Sequence, residues 1–278
     1  MPAPQRLREL SDGRAGDESV VTTEDPDEPN DAESPGLSPQ AALALLREGE
    51  LELVGRLTEA SNATFYCTVT QACPGEQPDL RAACVYKPIR GERPLNDFPR
   101  GTLAYREVAA YRVSAATGWD VVPPTLLRDG PLGPGMAQLW IEVDELVNTF
   151  ELVLTADVRL RSMAVFDAVI NNADRKVGHL LPIDEGHIYG VDHGVCFARQ
   201  PKLRTVLWAW QGQPLDDDEI GVLRQLRAGL EGDLGDELRS LLSTGEVVAT
   251  IERVKQLLSR GTLPMPDPRR PAIPWPPF

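Results

Sequence analysis

Nowhere does the sequence string together the roughly 18 apolar residues that a membrane span requires. It also begins without the basic and then apolar pattern of a secretory leader, so the chain is expected to be cytoplasmic and without stable membrane insertion. Only four cysteines occur, Cys67, Cys73, Cys84 and Cys196, and no two form a CxxC pair. That spacing suggests neither a zinc ribbon nor a disulfide framework, and the four are expected to be reduced thiols, some of them in the core. Positive charge is scarce too: 28 basic side chains face 42 acidic ones, for a net charge of -14. Nucleic acid as the main partner needs clustered Lys and Arg, and so does tight docking on anionic lipid, so both are disfavoured.

What is present is enough for a real core, since 42% of the 278 residues are hydrophobic. This suits one large domain or two small lobes. The acidity is uneven: residues 1–38 carry ten acids and three arginines, which is half of the net charge. A segment so rich in Asp, Glu, Pro and Ser cannot bury enough surface to offset its ordering entropy. Residues 1–37 are therefore expected to be a disordered acidic tail, available to a protein partner. At the other end, seven of residues 262–278 are proline, which predicts an extended tail with no lobe of its own.

Between the tails the pattern changes along the chain. Ser38 and Pro39 open a helix, a hydroxyl cap followed by a preset first turn, and residues 41–47 continue it. Stretches 51–57, 64–69 and 80–87 are rich in β-branched, aromatic and aliphatic residues and read as a three-stranded meander. A helix over 102–117 stops at Gly118. Strands 121–127 and 136–143 follow, joined by the glycine- and proline-rich turn 129–135. The remainder is helical in period over 156–171, 216–230, 234–242 and 246–258, interrupted by one hairpin, 179–183 with 187–191. The resulting expectation is an α+β chain: a lobe over 38–144 with five antiparallel strands and one helix, then a mainly helical lobe over 145–261.

Certain residues stand out against this frame. Lys87, one of four lysines, ends the third strand, where an ammonium could neutralise phosphate oxygens. Glu107 lies on the next helix and could hold that lysine, although singly each residue reads as an ordinary strand lysine and a solvated glutamate. Residues 166–176 run off an apolar helix into polar groups, with Asn172 and Asp174 placed either to end the helix in an Asx turn or to orient a carboxylate for a hydroxyl proton. If the hairpin turns about Glu185, cross-strand partners sum to about 370, and His179 and Asp192 fall opposite each other beside Asp174. Gly194, beyond Asp192 and His193, lets the backbone turn away.

The order of lobes together with Asn172-Ala173-Asp174-Arg175 and Asp192-His193-Gly194 resembles the N-x-D-R and D-x-G pair of the phosphatidylinositol 3- and 4-kinase-like superfamily. More narrowly, residues 97–111 and 165–178 are similar to the actinobacterial SCO1664-like family of uncharacterised proteins, over most of residues 40–260. The resemblance implies a bilobal protein-kinase-like fold and an ATP- and magnesium-dependent phosphotransferase acting on a hydroxyl of an unknown acceptor. It implies Lys87 at the phosphates, Glu107 as its partner, Asp174 as the catalytic-loop aspartate with Asn172 beside it, and Asp192 on magnesium. Ser61, Asn62 and Thr64 would belong to the phosphate-covering loop, and Gln138 and Trp140 to the adenine hinge. The superfamily usually has Asn where this chain has His179, and commonly His where it has Lys176. Histidine there implies manganese, a changed metal count or weak catalysis.

Two other readings stay open. All three histidines, His179, His187 and His193, lie within fifteen residues, as in a zinc hydrolase, although alternation sends His179 and His187 to opposite ends of the hairpin. A non-catalytic nucleotide-binding module would explain His179 but gives Asp174 no chemical task. Trp208 and Trp210, at i and i+2, read as lobe packing or as the wall of an acceptor surface.

Overall fold

The computed structural model describes residues 37–278, apart from 59, 76, 184 and 185, and the backbone strand Leu7–Glu9. That strand, β1, pairs antiparallel with β2 (Glu50–Leu57), Leu7 against Leu57 and Glu9 against Gly55. It corrects the expectation of disorder for these three residues: the open edge of β2 offers unpaired donors and acceptors that a passing segment can satisfy. The rest of the expected acidic tail lies outside the described residues, Leu37 excepted.

Helix α1 (Pro39–Glu48) starts as its sequence dictates, with Ser38 Oγ accepting from Ala41 N at 3.2 Å and proline in the first turn. Strands β2, β3 (Phe65–Gln71) and β4 (Leu80–Pro88) form the meander, and α2 (Leu103–Thr117) follows, closed by Gly118 in the left-handed region at φ 68°. Strands β5 (Thr125–Gly130) and β6 (Gly133–Leu139) form a hairpin. Its inner strand β6, not β5, pairs with β4, giving the order β1-β2-β3-β4-β6-β5. The first of the two late strands starts at Thr125 rather than 121 because Pro123 and Pro124 cannot donate to a ladder. Val122 N is instead satisfied by Ser114 Oγ.

The second lobe is helical: α3 (Thr149–Leu154), α4 (Arg161–Ile170), α5 (Asp217–Leu230), α6 (Asp233–Arg239) and α7 (Thr244–Arg260), with the hairpin β7 (Leu180–Pro182) and β8 (Ile188–Gly190) inserted. The single helix expected over 156–171 is broken. Ala156 sits at φ 54°, and Asp157 caps a separate 3-10 turn, Val158–Leu160, before α4 begins. Capping boxes at Asp216 with Glu219 and at Ser243 with Glu246 start α5 and α7.

Two apolar clusters divide the molecule. One, with Leu45, Leu46, Phe65, Val69, Tyr86 and Ala137, lies between α1 and the sheet. The larger joins α4 to α5, α6 and α7, and takes in Ala109, Ala110 and Val113 of α2. Ala104 and Val108 of the same helix pack on Met136 of the sheet. Helix α2 is thus buried on both sides, between the sheet and the helical lobe, and this position brings Glu107 to the junction. No described helix is long and apolar enough to cross a membrane.

Candidate active site

Three segments from both lobes meet at Lys87. Its strand, the fourth, delivers the ammonium to Glu107 Oε1 on α2 at 2.7 Å and to Asp192 Oδ1, just past β8, at 2.8 Å. The second oxygen of Glu107 accepts the backbone N–H of His193 at 2.7 Å. Glu107 is 2% exposed and Lys87 17% exposed, so this pair is sheltered, whereas Asp192, 51% exposed, opens to solvent. Burial alone would lower the Lys87 pKa, but the charges of Asp192 and Glu107 raise it above the ordinary lysine value, keeping it cationic. The same ammonium holds the Asp192 carboxyl far below its usual range. Burial, with the charge of Asp192 adding to it, pushes Glu107 upward against the pull of Lys87.

The hairpin has the register its sequence dictates, Leu180 against Gly190 and Pro182 against Ile188. His179 and Asp192 therefore face each other at its open end, with Nε2 3.5 Å from Asp192 Oδ2. Burial lowers the His179 pKa to about 4, so its imidazole is neutral near pH 7. A neutral imidazole nitrogen and a carboxylate oxygen at this separation could hold one divalent cation, with further ligands left to phosphate oxygens and water. Among the described residues no three His, Cys, Asp or Glu gather into a metal cluster. The three histidines diverge: His187 Nε2 lies 2.9 Å from Asp120 O, and His193 Nε2 2.6 Å from Arg175 Nη2. They share no zinc centre.

Asp174 sits in the loop after α4, part-buried, with Lys176 Nζ 3.7 Å from its Oδ2. Desolvation raises its pKa, the negative charge of Asp192 adds to this, and the lysine opposes it. Asn172 is fully buried and cannot meet a ligand. Its Oδ1 accepts the N–H of Asp174 at 3.0 Å, and its Nδ2 donates to Asp167 at 2.9 Å. Asn172, expected beside Asp174 in the catalytic loop, thus ties the backbone of that residue to the interior.

Beneath the loop lies an ion pair that sequence patterning did not single out. Arg175 and Asp167 are both 0% exposed, joined through Nη2 to Oδ1 at 2.9 Å and through Nε to Oδ2 at 3.0 Å. Arg175 also donates to Val191 O and to His193 Nε2, so the ring proton of His193 resides on Nδ1. The Asp174 loop and the Asp192 turn therefore share one buried anchor. The available signal was Asp167 itself, a carboxylate inside an otherwise apolar helix.

Gly194 and Val195 form the turn after the hairpin, and Asp192 leads into it at φ 65°, a region that Asp tolerates better than most residues. Gly194 also permits close approach, since a Cβ there would lie 3.3 Å from Leu103 Cβ and 3.6 Å from Glu107 Oε1. The loop holding Ser61, Asn62 and Thr64 is stitched to the residues after Lys87. Ala63 N donates to Gly91 O, Asn62 Oδ1 accepts from Arg93 N, and the Thr64 hydroxyl turns inward to Asn62 O. Ser61 alone of the three presents an exposed side chain. Gln138 belongs to the interior of the sheet, with its amide donated to Thr125 Oγ1, and so offers no side chain to a hinge. Trp140 follows the strand, its N–H bound to Ala83 O and its ring edge-on to Tyr66 at 4.9 Å.

No known family model matches the chain. It is 45% identical over 271 residues to Protein Rv2133c of Mycobacterium tuberculosis, in an alignment covering 84% of this chain and 95% of that protein. The chain belongs to the Rv2133c family. Among solved structures, the proinflammatory kinase CtkA of Helicobacter pylori superposes with a TM-score of 0.41 and 14% identity, over 76% of this chain and 98% of the other. The two-lobed α+β architecture of this Rv2133c-family member follows from its own parts: an antiparallel sheet, one helix at the junction and a mainly helical lobe.

Proposed function

We propose that the chain is an ATP-dependent phosphotransferase of phosphatidylinositol 3- and 4-kinase-like type, moving the γ-phosphate to a hydroxyl of a protein, small molecule or lipid headgroup. The observation that carries this reading is the triad of Lys87, Glu107 and Asp192, since a lysine held by a helix glutamate and facing an exposed carboxylate is poised for phosphate and metal. Lys87 neutralises phosphate oxygens, and Glu107 fixes its direction. Asp192 and His179 hold a divalent cation, magnesium or, given the nitrogen ligand, manganese, which offsets charge on the phosphates when bound. Asp174, its pKa raised toward that of a useful base, orients the acceptor hydroxyl and takes its proton. Asn172 keeps Asp174 in place through its backbone N–H.

A second reading, nucleotide binding without transfer, is favoured by His179, which gives a softer metal ligand than an oxygen donor. The test separates the two. ATP with magnesium or manganese is expected to raise the melting temperature, Lys87→Met to abolish that rise, and Asp174→Ala to keep it while removing radiolabel transfer from ATP to lysate proteins or lipids. No stabilisation at millimolar ATP would defeat both readings, and stabilisation without transfer by the parent chain would favour the second.

A further inference from the structure

The helical lobe carries a second concavity of about 400 Å³, between the C-terminal half of α7, residues 201–208 and the proline-rich C-terminal segment. Five cationic side chains line it: Lys202, Arg204, Arg253, Arg260 and Arg270. They gather in a body whose residues 37–278 hold only 25 basic against 32 acidic side chains. Of the two carboxylates in the lining, Asp97 is taken by Lys202 at 2.5 Å, and Asp267 is engaged by Arg269 at 2.9 Å. Among the described residues no carboxylate lies within ion-pair distance of Arg204, Arg253 or Arg260.

Arg253 is the most telling of these. Its guanidinium is spent on neutral acceptors, Val169 O at 2.7 Å, Ala198 O at 3.2 Å and Thr250 Oγ1 at 2.7 Å. Burial brings its pKa down to about 10, although Cys196 and the Glu246 carboxylate pull the other way. A buried cation with no carboxylate in contact is costly, and an anion entering the cleft would offset that cost. Trp208 lines the same space, its indole N–H fixed to Ala272 O at 2.8 Å, and supplies a flat apolar surface. The proline-rich segment closes the cleft on one side, since Ala272 O also accepts Thr205 N and Arg270 donates to Pro201 O.

We propose that this cleft binds a small soluble organic polyanion, its phosphate or sulfonate groups among Arg204, Arg253 and Arg260 and a flat ring along Trp208. The volume suits a small molecule. Arg204 links the cleft to the neighbouring loop, because its Nε donates to Ala173 O at 2.8 Å, one residue before Asp174. The inference does not rest on phosphate transfer and stands or falls by binding alone.

The test uses the full chain and the fluorescent dye hydroxypyrene trisulfonate, followed by anisotropy, with inorganic tripolyphosphate as competitor. Saturable binding is expected, reversed by tripolyphosphate. Arg260→Glu, an exposed position without an ion-pair partner, is expected to weaken it about tenfold or more, and Arg260→Gln by less. Lys87→Met, in the other cleft, is expected to leave it unchanged. Absence of saturable binding, undiminished affinity in Arg260→Glu, or loss in Lys87→Met would each overturn the proposal.

Discussion

Replacing Asp167 by alanine tests whether one buried ion pair anchors both loops of the candidate site. In the native chain its Oδ1 accepts from Arg175 Nη2 and Asn172 Nδ2, both at 2.9 Å, and its Oδ2 from Arg175 Nε at 3.0 Å and Thr205 Oγ1 at 3.3 Å. Asp167→Ala strands a guanidinium that has no access to water. Leaving one half of a buried pair costs about 3–5 kcal/mol. Against a domain stability of about 5–15 kcal/mol, that is a large fraction of the total. At about 2–4 °C per kcal/mol for a chain of this size, melting should fall by roughly 6–20 °C. The assay is urea unfolding followed by circular dichroism, on Asp167→Ala and on the double variant Asp167→Leu with Arg175→Met. Removing both charges takes away the stranded ion, so the double variant should recover part of the loss, although His193 Nε2 and Val191 O then lose their donor. A cost below about 1 kcal/mol for Asp167→Ala, or a double variant less stable than the single one, would refute the reasoning.

Other consequences of the packing are equally open to measurement. A Cβ on Gly190 would stand 2.9 Å from Arg175 Nη1 and 3.1 Å from its Cζ, and Arg175 is held on all sides, so Gly190→Ala should lower stability by about 1–3 kcal/mol in denaturant titration. A neutral result there would mean that Arg175 can move. Among the cysteines, Cys67, Cys84 and Cys196 are buried and Cys73 is half-buried. Hydrogen bonding to Cys84 and burial push the Cys67 thiol up, and burial does the same for Cys196. A colorimetric thiol reagent should therefore modify Cys73 alone in the native chain and all four after denaturation. Fast native reaction in a Cys73→Ser variant would contradict this.

The site was legible where local pattern and pairing rules act. The alternation around the turn near Glu185 fixed the pairing of Leu180 with Gly190, and hence the meeting of His179 with Asp192. The strand and helix periods placed Lys87 and Glu107 on adjoining elements, and α2 closes their distance to 2.7 Å. What stayed hidden depends on contacts between segments distant in sequence. Nothing local distinguishes Asn172 as an interior strut from Asn172 as a ligand, because its role follows from Asp167 packing beneath it. The side-chain bond of Gln138 to Thr125 was equally hidden, because it follows from the hairpin joining the sheet through its inner strand. The polyanion cleft needs the proline-rich segment to fold back on Thr205 and Trp208, a docking no periodicity encodes.

The position of α2 decides whether Lys87 and Glu107 are paired before any ligand arrives, and Arg106, next to Glu107, fixes that position. Arg106 is 1% exposed and reaches across the junction: Nη2 to Glu246 Oε1 on α7 at 2.5 Å and Nη1 to Cys196 O at 2.7 Å, with its guanidinium 4.9 Å from the Phe98 ring centre. Burial would raise the Glu246 pKa, but hydrogen bonds from Ser243 and Arg106 and the charge of Arg106 bring it below the ordinary glutamate value. A carboxyl whose folded pKa is depressed contributes stability above its unfolded pKa and loses it as pH falls through the folded one. The tie between α2 and α7 should therefore hold at neutral pH and weaken on the acid side of about pH 4.5, the unfolded glutamate value. Arg106→Lys keeps a charge but loses the fork that reaches Glu246 and Cys196 O together. It should lower stability at pH 7 by about 1–3 kcal/mol and flatten the loss of stability between pH 5 and 3. Under the phosphotransferase reading, it should also weaken ATP-induced stabilisation, although Arg106 touches neither Lys87 nor Asp192. An unchanged acid limb in Arg106→Lys would show that Glu246 owes its low pKa to Ser243 alone. Helix α2 would then be held by apolar packing, without a charged clamp across the lobes.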